Sequence, residues 1–257
     1  MMTRTISITN QKGGVGKTTT AINLAASLAV LERRVLLVDL DPQANATSGL
    51  GFPKDEKDSI YPVLLGESDA SDVLLHTDLE HLTLLPSSTA LVGAELDLAD
   101  FDDRQYRLRE ALSPIVGDYE FIVMDSPPSL NLLTINGLCA ADGVLVPIQS
   151  EYFALEGVSQ LMVTLERIRE SLNPQLAIDG ILITMQDDRM NLSRQVGDEI
   201  REYFGETVYE TVVPRNVRLA EAPSFGKPVA LYDIKSRGAE AYLNLAREVI
   251  ARSRRGE

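Results

Sequence analysis

The chain has 257 residues, with 38 Asp plus Glu against 24 Lys plus Arg, a formal charge of −14. A composition that is 44% hydrophobic and 24% charged supports a packed core and excludes wholesale disorder. The acid surplus argues at first against nucleic acid, whose phosphates attract cations, and the single Cys139 excludes an internal disulfide or a multi-thiolate metal site.

In chain order, Ile6–Thr9 reads as a strand, Asn10–Gly16 as a glycine-rich loop and Lys17–Leu31 as a helix. Val35–Asp39 is a second strand, Pro53–Asp58 a charged loop and Leu82–Leu85 a third strand. Helix Arg104–Val116, strand Phe121–Asp125 and helix Leu132–Ala140 follow, then strand Gly143–Ile148 and helix Leu155–Ser171. Strand Ile178–Met185, helix Leu192–Phe204, strand Val208–Val213 and helix Gly238–Ser253 complete the pattern. The strands are short apolar runs, several without period-2 alternation, as expected when both faces are buried. Regular β-then-α order predicts an α/β fold: one domain over residues 1–257, with a twisted, mostly parallel sheet and helices on both faces. The N-terminus lacks an apolar core long enough for a signal peptide, and no run approaches about eighteen apolar residues, so no spanning helix is expected.

The run Gln11-Lys12-Gly13-Gly14-Val15-Gly16-Lys17-Thr18-Thr19 follows the first strand and opens the first helix. Glycines let backbone N–H groups turn inward around phosphate oxygens, and the helix N-terminus adds partial positive charge. Lys17 can reach the β- and γ-phosphates of a nucleotide, and the Thr18 hydroxyl can ligand Mg²⁺. An ordinary P-loop has Gly where this chain has Gln11, and here a second lysine, Lys12, opens the loop.

Asp39 and Asp41 close the second strand, at i and i+2, hence on the same side of an extended chain. Carboxylates at the carboxyl edge of a parallel sheet sit beside the nucleotide crevice. Phe121–Asp125 is an apolar strand ending in a third acid, which reads as a Walker B carboxylate holding Mg²⁺ through water.

The Lys12-Gly13-Gly14-Val15-Gly16-Lys17-Thr18 form resembles the deviant Walker A motif of the ParA/MinD superfamily. The stretches Ile183–Leu192, Val213–Ser224 and Leu231–Glu240 narrow the resemblance to the ParA/Soj family, over nearly the whole chain. The resemblance implies a deviant P-loop NTPase fold and a Mg²⁺-dependent ATPase. It places the nucleotide on Gly13, Gly14, Val15, Gly16, Lys17, Thr18 and Thr19, with the adenine near Met185, Pro214 and Asn216. It assigns Thr18, Asp39 and Asp125 to the metal, Asp41 to orienting the attacking water, and Lys12 to the nucleotide of a second subunit, in the manner of an arginine finger.

The same resemblance assigns sequence-independent double-stranded DNA binding to Arg189 and Arg218. Arg215, Lys227, Lys235 and Arg237 join them, since residues 212–239 carry a net +3. Arg252, Arg254 and Arg255 are expected to add to that face. The acid excess lies in residues 51–200, at −18, while the two flanking segments are each +2. DNA binding is therefore expected to be weak in one subunit, salt-sensitive and dependent on pairing. Asp187 and Asp188 flank Arg189, with an acid at 188 where the family has a small residue, and should weaken it further. Ser126 and Phe225, in slots the family gives to Cys or Thr and to His, are expected to be neutral.

The implied function is an ATP-dependent dimerising switch for chromosome partitioning. The homodimer binds DNA without sequence preference and is released when a ParB-type protein with a basic N-terminal peptide stimulates hydrolysis. The expected location is cytoplasmic and nucleoid-associated, without membrane. Chromosomal cargo follows from the Soj likeness and from a first strand that begins at once. A relative that positions another cargo shares this chemistry. A MinD-like membrane switch needs an apolar face on the last helix, which the tail Ala251–Glu257 lacks. A cluster-bridging iron protein needs two cysteines per chain, and the C-terminal motifs point away from a dethiobiotin synthetase.

Overall fold

The computed structural model describes residues 3–54, 58–151, 154–187 and 189–254. Asp188, Arg255 and residues 55–57 of the charged loop lie outside them.

Eight strands form one sheet: β1 (Arg4–Ile8), β2 (Val35–Asp39), β3 (Leu75–His76), β4 (Leu82–Leu85), β5 (Phe121–Asp125), β6 (Gly143–Gln149), β7 (Ala177–Gln186) and β8 (Val208–Pro214). Their order is β3-β4-β2-β5-β1-β6-β7-β8, parallel throughout except for the two-residue β3, which pairs antiparallel with β4. The helices are α1 (Lys17–Val30), α2 (Asn45–Gly49), α3 (Ile60–Leu65), α4 (Ala94–Asp97), α5 (Arg107–Leu112), α6 (Leu132–Ala140), α7 (Ala154–Ser171), α8 (Asn191–Phe204), α9 (Val217–Glu221), α10 (Val229–Tyr232) and α11 (Arg237–Ser253).

The central strands feed two cores. Leu36, Val38, Ile122, Met124, Val144 and Val146 point to one face, under α3, α5, α6 and α7. Ile6, Ile8, Val35, Leu37, Val123 and Leu145 point to the other, under α1 and α11. Successive side chains alternate between faces, and both faces are apolar, which is why the strand sequences show no polar alternation.

All seven expected strands are present within two residues at their ends. The expected helix Arg104–Val116 is shorter: α5 stops at Leu112, two residues before Pro114, whose ring blocks a continued helix, and Val116–Asp118 forms a 3₁₀ turn. Strand β3 and helices α2, α3, α4, α9 and α10 were not anticipated; each is too short to carry a readable period.

The sheet brings the motifs together at its carboxyl edge. Strand β5 lies between β2 and β1, and register pairs Asp125 with both Asp39 and Ile8. The loop leaving β1 and the two strand-end carboxylates therefore share one crevice, beside the point where chain connections diverge to opposite sides.

Candidate active site

Residues 9–16 run from β1 into α1 as an open cradle. Gly14 and Gly16 adopt φ of 75° and 89°, the left-handed region that favours glycine. A side chain on Gly13 or Gly14 would meet no atom within 4 Å, so the space over the loop is open. Helix α1 has no side-chain N-cap and no acid in its first turn, leaving its N–H donors and its dipole directed at that space. The cradle fits an anion of phosphate size.

The two lysines behave differently. Lys17 is only 7% exposed, and its Nζ donates to the Lys12 carbonyl at 3.0 Å, drawing the loop around the ammonium. Burial lowers its pKa, while Asp125 and Asp41 pull the other way. Lys12 lies at the surface, its side chain 42% exposed and its Nζ 3.0 Å from Glu151 Oε2. Asn10 braces the loop, donating to the Pro147 carbonyl at 2.8 Å and accepting the Lys12 N–H at 3.0 Å.

Asp39 and Asp125 are neighbours in register and both fully buried, but their oxygens are used differently. Asp39 Oδ2 accepts the Thr47 N–H and hydroxyl, both at 2.8 Å, and Oδ1 accepts the Asp41 N–H at 3.2 Å. Both oxygens of Asp125 lack a hydrogen-bond partner among the described residues. Burial, then the Asp39 charge, pushes the Asp125 carboxyl well above its usual range; the Thr18 hydroxyl and Lys17 oppose this only in part, and Thr18 reaches neither oxygen in hydrogen-bond geometry. Burial also raises Asp39, to about 6, against the opposing hydrogen bonds from Thr47 and Asp41. An orphaned, buried carboxylate beside a helix-start hydroxyl fits a Mg²⁺ ion. No group of three or more His, Cys, Asp or Glu able to hold a metal occurs among the described residues. Mg²⁺ takes one or two protein oxygens together with phosphate and water.

This arrangement has a measurable cost when metal is absent. Groups with a raised acid pKa bind protons more readily folded than unfolded, so they stabilise below the unfolded value and lose that contribution as pH rises through the folded one. With chelator and no nucleotide, the melting temperature should therefore gain from Asp39 as pH falls through about 6 toward the unfolded carboxylate range, with Asp125 acting in the same direction. Asp125→Asn should raise the melting temperature at pH 8 and flatten this dependence. An unchanged or lowered melting temperature at pH 8 would contradict the burial cost.

Asp41 is 8% exposed; its Oδ1 accepts the Gln43 N–H at 2.9 Å, which orients the carboxylate through the turn that follows. Thr47 and Ser87 support it from beneath. The Ser87 N–H donates to Thr47 Oγ1 at 3.0 Å, and the Ser87 hydroxyl donates to the Asp41 carbonyl at 2.8 Å. Under the loop, Ser7, Thr9 and Ser126 form a buried triangle of hydroxyls, with edges of 2.8, 3.1 and 3.2 Å. Ser126 thus ties β5 to the loop-bearing strand. Thr47, Ser87 and Glu151 were not anticipated, because nothing in their local sequence marks them as partners of distant acids and lysines.

Among the described residues, Pro214 and Met185 line two separate cavities. Pro214 lines a space of about 250 Å³ with Gln186, Thr211, Arg237 and Asn244. Met185, at φ 53°, has its Cε 3.5 Å from where a side chain on Gly16 would begin, and it lines a separate 150 Å³ cavity with Glu151 and Arg215. The Asn216 side chain caps α9, accepting the Arg218 N–H at 2.8 Å.

Of the expected DNA residues, Arg189, Arg215, Arg218, Lys227, Lys235 and Arg237 are all exposed. Arg252 is not part of that surface. Its guanidinium donates to the Val208 carbonyl and to Glu248 at 3.0 Å each and stacks 4.1 Å over the Tyr209 ring, clamping α11 to β8. Arg254 is exposed and Arg255 lies outside the described residues. Phe225, 63% exposed, stacks on Tyr232 at 5.0 Å.

Comparison with known proteins gives a consistent picture. Residues 3–178 match the family model described as an AAA domain. A chromosome partitioning protein ParA from Myxococcus xanthus is 56% identical, over 97% of this chain and 88% of its own length. The sporulation initiation inhibitor protein Soj from Bacillus subtilis is 53% identical, over 97% and 99%. Among solved structures, a cobyrinic acid a,c-diamide synthase from Mycobacterium smegmatis with bound ATP analog and magnesium superposes with a TM-score of 0.88 at 38% identity, covering 100% of this chain and 98% of that one.

Proposed function

Because the chain belongs to the ParA/Soj family of chromosome-partitioning ATPases, with ATP and Mg²⁺ as its ligands, we propose that it works as a nucleotide-dependent dimerising switch on DNA. Residues 1–257 act as one ATPase unit. The observation that carries the reading is the division of labour between the two lysines: Lys17 is sunk in its own loop, and Lys12 stands at the surface, paired only with the exposed Glu151, which a second subunit's nucleotide can displace.

Backbone N–H groups of Gly13–Thr19 receive the phosphate oxygens, and Lys17 turns its ammonium from the Lys12 carbonyl to the β- and γ-phosphates. Thr18 and Asp125 would hold Mg²⁺, which would supply positive charge to offset that of the phosphates, with Asp39 on the metal side of the site, where it shapes the adjoining turn through Thr47 and Asp41. Asp41 orients the water that attacks the γ-phosphorus. Lys12 of a partner subunit adds a cation where charge develops in transfer. Met185, Pro214 and Asn216 surround the base once nucleotide draws their segments together.

The ATP-bound homodimer binds double-stranded DNA through Arg189, Arg218, Arg215, Lys227, Lys235 and Arg237 without reading sequence. A ParB-type partner with a basic N-terminal peptide stimulates hydrolysis and release, and the acidic middle segment suits such a peptide. The protein then works in the cytoplasm on the nucleoid. Among the described residues no helix is long and apolar enough to cross a membrane, and α11 exposes no large apolar side chain.

The test is retention on double-stranded DNA with ATP, with ADP and without nucleotide, across a salt series. Binding is expected only with ATP, falling steeply with salt. Arg218→Glu should lose at least tenfold in DNA affinity, since an attraction to phosphate becomes a repulsion, while still dimerising with ATP. Retention equal to wild type at every salt concentration would place the DNA surface elsewhere.

A further inference from the structure

Two of the four arginines proposed to bind DNA, Arg189 and Arg218, are each held by carboxylates of their own chain. Arg189 is 89% exposed, yet its Nε and one terminal nitrogen donate to the two oxygens of Asp187 at 3.0 Å each. Arg218 donates through Nη1 to Glu221 Oε2 at 2.7 Å, and its Nε lies 3.3 Å from Asp233 Oδ2.

These acids are themselves anchored. Asp187 Oδ1 accepts the Arg189 N–H at 3.1 Å, Asp233 Oδ1 accepts the Lys235 N–H at 3.2 Å, and Glu221 Oε2 accepts the Tyr232 hydroxyl at 3.2 Å. The carboxylates are therefore fixed by the local turns and not merely swung toward the nearest cation. A guanidinium fork that grips a carboxylate uses the same donors that grip a phosphate. A DNA phosphate must displace the acid before it can be bound.

We propose that Asp187, Glu221 and Asp233 act as internal phosphate mimics that sheath Arg189 and Arg218 and set the DNA affinity of the ATP-bound state. The proposal rests on the DNA reading above. Each pair is solvent-exposed and hence weak, so the sheath lowers affinity by a modest factor per pair and does not abolish it. It also gives the molecule a way off DNA: when subunits separate, each arginine has a waiting partner in its own chain. The acid-rich composition then acts at named contacts, beyond any general repulsion.

The test uses Asp187→Asn, Glu221→Gln and Asp233→Asn. Each keeps the oxygen that accepts the local turn or tyrosine hydrogen bond and removes only the charge. With ATP, at one fixed salt concentration, each should bind double-stranded DNA roughly three- to tenfold more tightly than wild type. In an Arg218→Ala background, Glu221→Gln and Asp233→Asn should change affinity by less than about twofold, because the group they sheath is gone. Unchanged or weaker binding by the single variants overturns the proposal. So does a gain that survives Arg218→Ala undiminished, since it reports general electrostatics. If wild type and every variant fail to bind DNA in any nucleotide state, the DNA reading falls with it; if wild type binds and the variants do not differ, the sheath alone falls.

Discussion

Lys17→Ala lowers ATP affinity by roughly 10²- to 10³-fold, the usual consequence of removing one partner of a desolvated charge pair. Lys17 is buried and already within the loop, held by the Lys12 carbonyl at 3.0 Å, so little ordering remains to be done when phosphate arrives. Desolvation raises the worth of that cation to an incoming anion. Its loss also removes a cation that offsets Asp125 and Asp41, so those acids repel the incoming phosphates more strongly. Isothermal titration with ATP and Mg²⁺ reads the effect directly, and circular dichroism of the variant separates it from unfolding. Nucleotide affinity matching wild type would remove Lys17 from the phosphate site. Arg in its place does not restore binding, because a planar guanidinium does not fit where a compact ammonium sits among backbone groups.

Asp41→Ala separates binding from chemistry. The carboxylate is held by the Gln43 N–H, and its removal costs that donor its acceptor, but the backbone hydrogen bonds of Asp41 to Asp39 and Ser87 remain. ATP affinity should change less than about threefold, while single-turnover hydrolysis slows roughly 10²- to 10³-fold, the scale of a lost group that orients or activates water. On the proposed switch, the variant should accumulate as ATP-bound dimer and stay on DNA. Hydrolysis at the wild-type rate would reassign the water. Thr47→Val offers a graded companion: it deletes a hydroxyl that donates to Asp39 and accepts from Ser87, so it loosens Asp41 without touching it.

The chemistry-bearing residues were legible because each lies in a short local pattern whose geometry is dictated by backbone physics. A glycine-rich turn between a strand and a helix has one principal use, and acids at the ends of apolar parallel strands have few others. Thr18, Lys17 and Asp41 lie within electrostatic range of Asp125 or of one another at the carboxyl edge of the sheet. What each oxygen is occupied with was not legible. Asp39 and Asp125 have the same kind of flanking sequence, yet Thr47 satisfies one and nothing among the described residues satisfies the other. That difference depends on α2, a five-residue helix with no readable period.

The same division runs through the basic residues. Residue type and net charge marked Arg189, Arg218 and Arg252 alike. Only packing shows that Arg252 is a clamp between α11 and β8, and that the other two carry their own carboxylates.

Strand order in the chain, hydrophobic runs and loop glycines suffice to specify a parallel α/β sheet and its phosphate loop, because local sterics and burial act over a few residues at a time. Which buried acid stays unpaired, which lysine faces outward and which arginine is free for a partner are settled only when segments distant in the chain meet. Hydrogen bonding and desolvation there depend on every neighbour in three dimensions, and no single stretch of sequence contains them.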